Sequence, residues 1–239
     1  MTAILLFSCK DQRGLVHEIS SFIAENNGNI IDLDEHVDSE ENMFFIRVAW
    51  QMENTNEIIL KEKFEPLAKK FNAKWRIEFS SKIQKIAIFV SKYDHALQEI
   101  LWRSKIGEFN CQIAVIISNH KELEELANSY KIPFYYFPIT TENKEEQEAE
   151  EIKLLKKLDI DSVILARYMQ ILSDNFVSTF KNKIINIHHS FLPAFIGGNP
   201  YKQAFERGVK MIGATSHFVS ADLDEGPIIA QDIIRINHK

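Results

Sequence analysis

Two short stretches concentrate the residue types that could do chemistry. They are Asn186-Ile187-His188-His189-Ser190, directly after the apolar pair Ile184-Ile185, and Asp222-Leu223-Asp224-Glu225-Gly226-Pro227. An asparagine amide can donate to a carbonyl oxygen that turns negative at a tetrahedral centre. An imidazole, with an ordinary pKa of ~6.5, passes protons near neutral pH. If the second stretch folds over the same edge, one of its three carboxylates reaches His188 and can order an attacking water. Such a trio suits acyl transfer from an amide-like donor. Residue types and spacing alone leave the alternative open, because a histidine after a strand more often serves as a hydrogen-bonded structural group. Metal binding by His188, His189 and His217 is disfavoured: adjacent strand residues point to opposite faces, and no i, i+4 ligand pair supports them.

The elements that position these residues can be read from periodicity. Residues 4–8 suit a short strand, and Asp11-Gln12-Arg13-Gly14 a turn into a helix with Leu15, Ile19, Phe22 and Ile23 on one face, ended at Gly28. Residues 30–37 and 43–50 suit a hairpin turned at 39–42. A second helix carries Ile59, Leu60, Phe64, Leu67, Ala68 and Phe71 at helical spacing, before a strand at 75–79. This βαββαβ order predicts a ferredoxin-like domain over residues 1–80. Ser80-Ser81-Lys82 then reads as a linker. From residue 84 to 239 strands and helices alternate, which predicts a mostly parallel, Rossmann-like sheet with helices on both faces. Its strands are expected at 86–90, 113–118, 134–137, 162–166 and 184–187, with a further pair at 214–219 and 228–234. Helices are expected at 95–105, 121–129 and 144–158. In such a sheet ligands bind beyond the carboxyl ends of the strands, where Asn186 and His188 share one side and Ile187 the other. The acidic run over 142–151 is expected to be a solvated helix face.

Composition limits the partners. The 239 residues are 45% hydrophobic, with net charge −6 and mixed signs throughout. No contiguous Lys/Arg stripe tracks phosphates, so nucleic acid is not the expected partner. The apolar run at 3–7 is too short for a secretory segment, and no stretch approaches the ~20 apolar residues of a membrane helix. No membrane association is expected, and the location expected is the cytoplasm. Cys9 and Cys111 lie far apart and offer neither a disulfide framework nor a zinc site.

The stretches LARYMQIL (165–172), NIHHSFLPAFIGGNPYKQAFERGVKMIGATSHFV (186–219) and DLDEGPIIAQD (222–232) closely resemble the formyltetrahydrofolate deformylases, within the wider family of folate-dependent formyltransferases. FVSKYDHALQEILWR (89–103) and IPFYYFPIT (132–140) fit as well, and the N-terminal part looks like the ACT regulatory domain of such enzymes. The resemblance implies hydrolysis of 10-formyltetrahydrofolate to formate and tetrahydrofolate, supplying one-carbon and purine metabolism. It implies no cofactor, folate being the substrate, and no metal. It places the catalytic set on Asn186, His188 and Asp224, with Asp222 in a turn-capping role and Glu225 facing solvent. The pterin is expected against a loop formed by Arg167, Tyr168, Met169, Gln170, Ile171 and Leu172, with His217 near the formyl group and Gly197-Gly198 in a substrate loop.

Two features favour hydrolysis over transfer to an amine such as glycinamide ribonucleotide. His189 stands where the related transferase typically has Pro, and those enzymes lack an ACT domain. Nor does FVSKYDHAL form the Gly-rich loop a phosphorylated acceptor needs. A non-catalytic folate or amino-acid sensor is the remaining alternative. ACT domains pair side by side, so a homodimer or homotetramer is expected. They also bind a small amino acid at the turn before the first helix, here Asp11, Gly14 and Leu15. Family members continue past the strand at 228–234 with a helix and terminal strands, whereas this sequence closes on Asn237-His238-Lys239.

Overall fold

The computed structural model describes residues 1–53, 56–197 and 199–237; Gly198, His238 and Lys239, named above, lie outside the described residues. The chain forms two compact units, Met1–Ile83 and Gln84–Lys239.

In the first unit the order is β1 (Thr2–Lys10), α1 (Leu15–Glu25), β2 (Asn29–Asp38), β3 (Met43–Gln51), α2 (Glu57–Lys70) and β4 (Lys74–Phe79). The strands form an antiparallel sheet ordered β2-β3-β1-β4. Strict alternation along β1 turns Ala3, Leu5, Phe7 and Cys9 inward. They meet Leu15, Ile19 and Ile23 of α1 and Leu60, Phe64 and Ala68 of α2 in one apolar core. α1 stops at Glu25, three residues before the expected glycine. Asn27 takes the left-handed turn at φ 57°, while Gly28 is needed for space, since a β-carbon there would strike Trp50 and Ile23.

The second unit contains β5 (Gln84–Val90), α3 (His95–Lys105), β6 (Cys111–Ser118), α4 (Glu124–Ser129), β7 (Phe134–Tyr136), α5 (Lys144–Lys157), β8 (Ser162–Leu165), α6 (Asp174–Thr179), β9 (Ile184–His188), α7 (Pro200–Glu206), β10 (Met211–Phe218) and β11 (Ile228–Arg235). They build a seven-stranded sheet ordered β11-β10-β9-β8-β5-β6-β7, in which β10 runs antiparallel to both of its neighbours and every other pairing is parallel. β5 is buried on both sides, as a central parallel strand is. Ala87 and Phe89 pack on one face, Ile86, Ile88 and Val90 on the other. The chain runs outward from β5 through β6 to β7 and returns at β8. That reversal opens the crevice at the carboxyl ends of β5 and β8 where ligands bind in open α/β sheets.

The acidic run departs from expectation. Glu148 and Glu151 are 2% and 0% exposed, not solvated. They continue backward the buried stripe of Ile152 and Leu155, so helical spacing turns these two carboxylates toward the sheet while Glu145, Glu146 and Glu150 stay outside. Among the described residues no helix is long and apolar enough to cross a membrane.

Candidate active site

β9 delivers Asn186 and His188 on one side of its carboxyl end, with Ile187 exposed on the other. β10 pairs antiparallel beside it and sets His217 opposite Asn186 and Thr215 opposite His188. The loop after β10 brings Asp224 back over the same edge. A β-carbon at Gly226 would overlap the Phe218 carbonyl, so this close return of the loop to its own strand requires glycine. Asp224 itself holds a left-handed φ of 58°, a conformation Asp tolerates better than most residues. Its side chain is only 5% exposed.

A buried carboxylate needs partners. Asp224 Oδ2 accepts the Gly197 N–H at 3.1 Å and lies 3.3 Å from His188 Nδ1. Its other oxygen lies 3.7 Å from His217 Nε2. His188 Nε2 sits 2.9 Å from the Phe195 carbonyl, which can only accept, so this nitrogen carries a proton. Its Nδ1 faces the Asp224 carboxylate. The His217 ring donates from Nδ1 to the Phe218 carbonyl at 3.0 Å, leaving Nε2 to accept from the Asn186 amide at 3.2 Å. Asn186, His188, His217 and Asp224 thus form one connected group. Next to them, burial and the neighbouring His188 and Arg167 push the His189 imidazole below its ordinary range. Among the described residues no three His, Cys, Asp or Glu side chains are arranged to hold a metal.

Several contributors escaped the sequence reading. Ser190 Oγ donates to the Phe195 carbonyl, Thr215 Oγ1 donates to the Ser190 carbonyl, and the Leu192 N–H donates to Thr215 Oγ1. Gln231 adds bonds to the Leu192 carbonyl and Thr215 Oγ1. This buried network holds residues 190–197 over His188. Its signal was a serine just past one strand and a threonine inside the next. Asp222 contributes its carbonyl to Ser220 and Glu225, and Glu225 is exposed. Gly197 has φ 80° with open space beside it.

The loop 167–172 leaves the carboxyl end of β8. The Met169 N–H donates to Ser91 Oγ beyond β5, and Ser91 donates to Asn119 Oδ1 beyond β6, stitching three strand ends together. Arg167, at φ 60°, is exposed, stacks 4.6 Å over Tyr93 and approaches His95 Nε2 at 3.4 Å. Met169 and Ile171 are 62% and 63% exposed, and Gln170 is half-buried. The side chains of Tyr168 and Leu172, expected to meet the ligand, sit in the core instead. The loop alternates, so its two ends anchor inward while its middle faces out.

In the first unit Gly14 has φ 89° and caps α1 without a side chain, and Asp11 is exposed. Leu15 packs in the core, so only its backbone is on offer to a ligand.

An amide, two imidazoles and a buried carboxylate at the carboxyl edge of a parallel sheet define an acyl-transfer class of α/β protein. Residues 84–239 match the formyl transferase family and residues 3–53 the ACT domain. The chain is 51% identical to the formyltetrahydrofolate deformylase of Synechocystis sp., across 100% of this chain and 84% of that protein. Identity to the Bacillus subtilis formyltetrahydrofolate deformylase is 48%, over 98% of this chain and 79% of the relative. The crystal structure of a formyltetrahydrofolate deformylase from Pseudomonas syringae superposes with TM-score 0.95 at 39% identity, covering 99% of this chain and 80% of that one. The chain belongs to the formyltetrahydrofolate deformylase family. A glycinamide ribonucleotide transformylase from Symbiobacterium toebii is also similar, with TM-score 0.62 and 31% identity, over 68% of this chain and 77% of that one.

Proposed function

We propose that this protein hydrolyses 10-formyltetrahydrofolate to formate and tetrahydrofolate in the cytoplasm, feeding one-carbon and purine metabolism. The observation that carries the reading is the approach of Asp224 to His188 within 3.3 Å, with Asn186 on the same strand. The formyl carbon lies at this group and the pterin against Met169, Gln170 and Ile171. Asp224 holds a water and accepts one of its protons as the oxygen attacks the carbonyl carbon. The carbonyl electrons move onto oxygen, where the Asn186 amide and the protonated His188 stabilise the charge. For this His188 exchanges its Nε2 bond from the Phe195 carbonyl to the substrate. Collapse breaks the carbon–N10 bond, the proton passes to N10, and formate leaves. The chemistry calls for no metal and no cofactor beyond the folate substrate.

An amino-acid effector is proposed at the turn before α1, where Asp11 and the first-turn amides at Gly14 and Leu15 suit a zwitterion, in a homodimer or homotetramer. The test of the activity is formate release from 10-formyltetrahydrofolate with and without an amine acceptor. Equal yields of formate and tetrahydrofolate, unchanged by the acceptor, are expected. Loss of the formyl group only when acceptor is present would overturn hydrolysis.

A further inference from the structure

Helices α1 and α2 cover one face of the first sheet, against the inward residues of β1 and β3. The opposite face carries no helix of this unit, and the strand register arranges its side chains in rows. In one row Asp34 of β2 stands beside Arg47 of β3, then Leu6 of β1, then Arg76 of β4. In the next, His36 stands beside Phe45, Ser8 and Lys74 in the same strand order. The face is therefore graded, acidic along β2, apolar in the middle and basic along β4. Phe45 is 43% exposed although it lies on an inner strand. Beside it opens a concavity of about 550 Å³ lined by Leu6, Ser8, Asp34, Phe45, Arg47 and Arg76. Arg47 pairs with Asp32 of its own sheet. Among the described residues Asp34 and Arg76 are exposed and make no ion pair. An apolar centre between opposite charged margins is complementary to itself, and only a second copy matches it row by row.

We propose that this face is an interface between two copies of the chain, packed sheet on sheet about a twofold axis parallel to the strands, with Asp34 of each copy against Arg76 of the other. Such an axis lays β2 of each copy over β4 of the other and β3 over β1, with the two sheets aligned within about 30°. Each row then meets its own reverse. Phe45 lies over Ser8, a large side chain over a small one, and enters the concavity. The Arg47 stem covers Leu6. His36 accepts from the Lys74 ammonium through a ring nitrogen. One row further along, Asp32 comes over Glu78, and its charge is already balanced by Arg47. A twofold axis perpendicular to the strands would lay β2 on β2, acidic margin on acidic margin. The inference gives a face to the homodimer or homotetramer proposed above and rests on that assembly, not on the reaction. Side-by-side pairing uses a sheet edge instead and leaves this face open.

The test is the solution mass of the full chain, by sedimentation over a concentration series. Asp34→Arg and Arg76→Asp each set like charges together at both ends of the interface. Either should raise the dissociation constant at least about 100-fold, taking a dimer to monomer or a tetramer to dimer. The double variant Asp34→Arg with Arg76→Asp exchanges the two charges and should return the constant to near the wild-type value, which also excludes misfolding as the cause of the single-variant loss. Phe45→Ala, with every charge kept, should weaken assembly about tenfold. A wild type that stays monomeric throughout the series would overturn both the assembly and this face. A multimer untouched by either reversal, or one that the double variant fails to restore, would overturn this face and leave the side-by-side assembly standing.

Discussion

The two units treat polar groups in opposite ways. The first surrounds β1 with Leu5, Phe7, Ile19, Phe64 and Trp50, an interior that hydrophobic burial alone would select. Among the described residues every buried Ser, Thr, Asn, Glu and His side chain lies in the second unit, from Ser91 through Glu148 and Glu151 to His217. Leaving such a group unpartnered costs about 1–3 kcal/mol. They lie at or near the carboxyl-end rim of the sheet and on the buried face of α5, where each needs a partner that an apolar side chain would not. The turn before α1 in the first unit is different, offering exposed backbone around Gly14 and no buried polar side chain.

The sharpest way to break this contrast is Asp224→Asn. Turnover should fall about 10³-fold, with tetrahydrofolate binding changed by less than about threefold, as formate release and calorimetry would read. Near-normal turnover would reduce the buried polar set to scaffolding. On the apolar side, Phe64→Ala removes a ring packed on Phe7, Phe22 and Trp75. It should destabilise the first unit by about 3 kcal/mol or more in denaturant unfolding, and a much smaller loss would mean that core is loosely packed.

The pH dependence of stability sharpens the contrast further. Burial and the charge of Glu148 raise the Glu151 carboxyl, which binds a proton in the folded state that the unfolded chain has already released above the usual carboxylate range. The stabilisation is therefore fully present below about pH 4.5 and is lost as pH rises through about 8. Between pH 6 and 8 the wild type should lose about 2 kcal/mol relative to Glu151→Gln in parallel unfolding curves. A constant difference would mean that the carboxyl is ionised throughout. The smallest effect is expected from Ser173→Ala, which removes the α6 cap and should cost about 1 kcal/mol.

Much of this fold was legible. Apolar spacing located α3 at its observed bounds and most strands to within a few residues, because β-branched runs and turn residues encode those elements locally. The short helices α6 and α7 carry too few turns for a periodic signal. The orientation of Glu148 and Glu151 was readable only by extending the stripe of Ile152 and Leu155 backward against the polarity of the residues. Tyr168 and Leu172 look like ligand-facing groups in a loop, yet they belong to the core once β8 is buried.

By itself the sequence determined which segments become strands and helices, that the second sheet is mostly parallel, and that amide, imidazole and carboxylate groups sit at the ends of apolar runs. Those properties depend on neighbours a few residues away. Tertiary structure decided which groups meet. The antiparallel register of β10 on β9 sets His217 across from Asn186, and the tight return at Gly226 carries Asp224 to His188. Strand pairing and close backbone approach are settled by packing over the whole sheet, so no local pattern could have chosen Asp224 over Asp222.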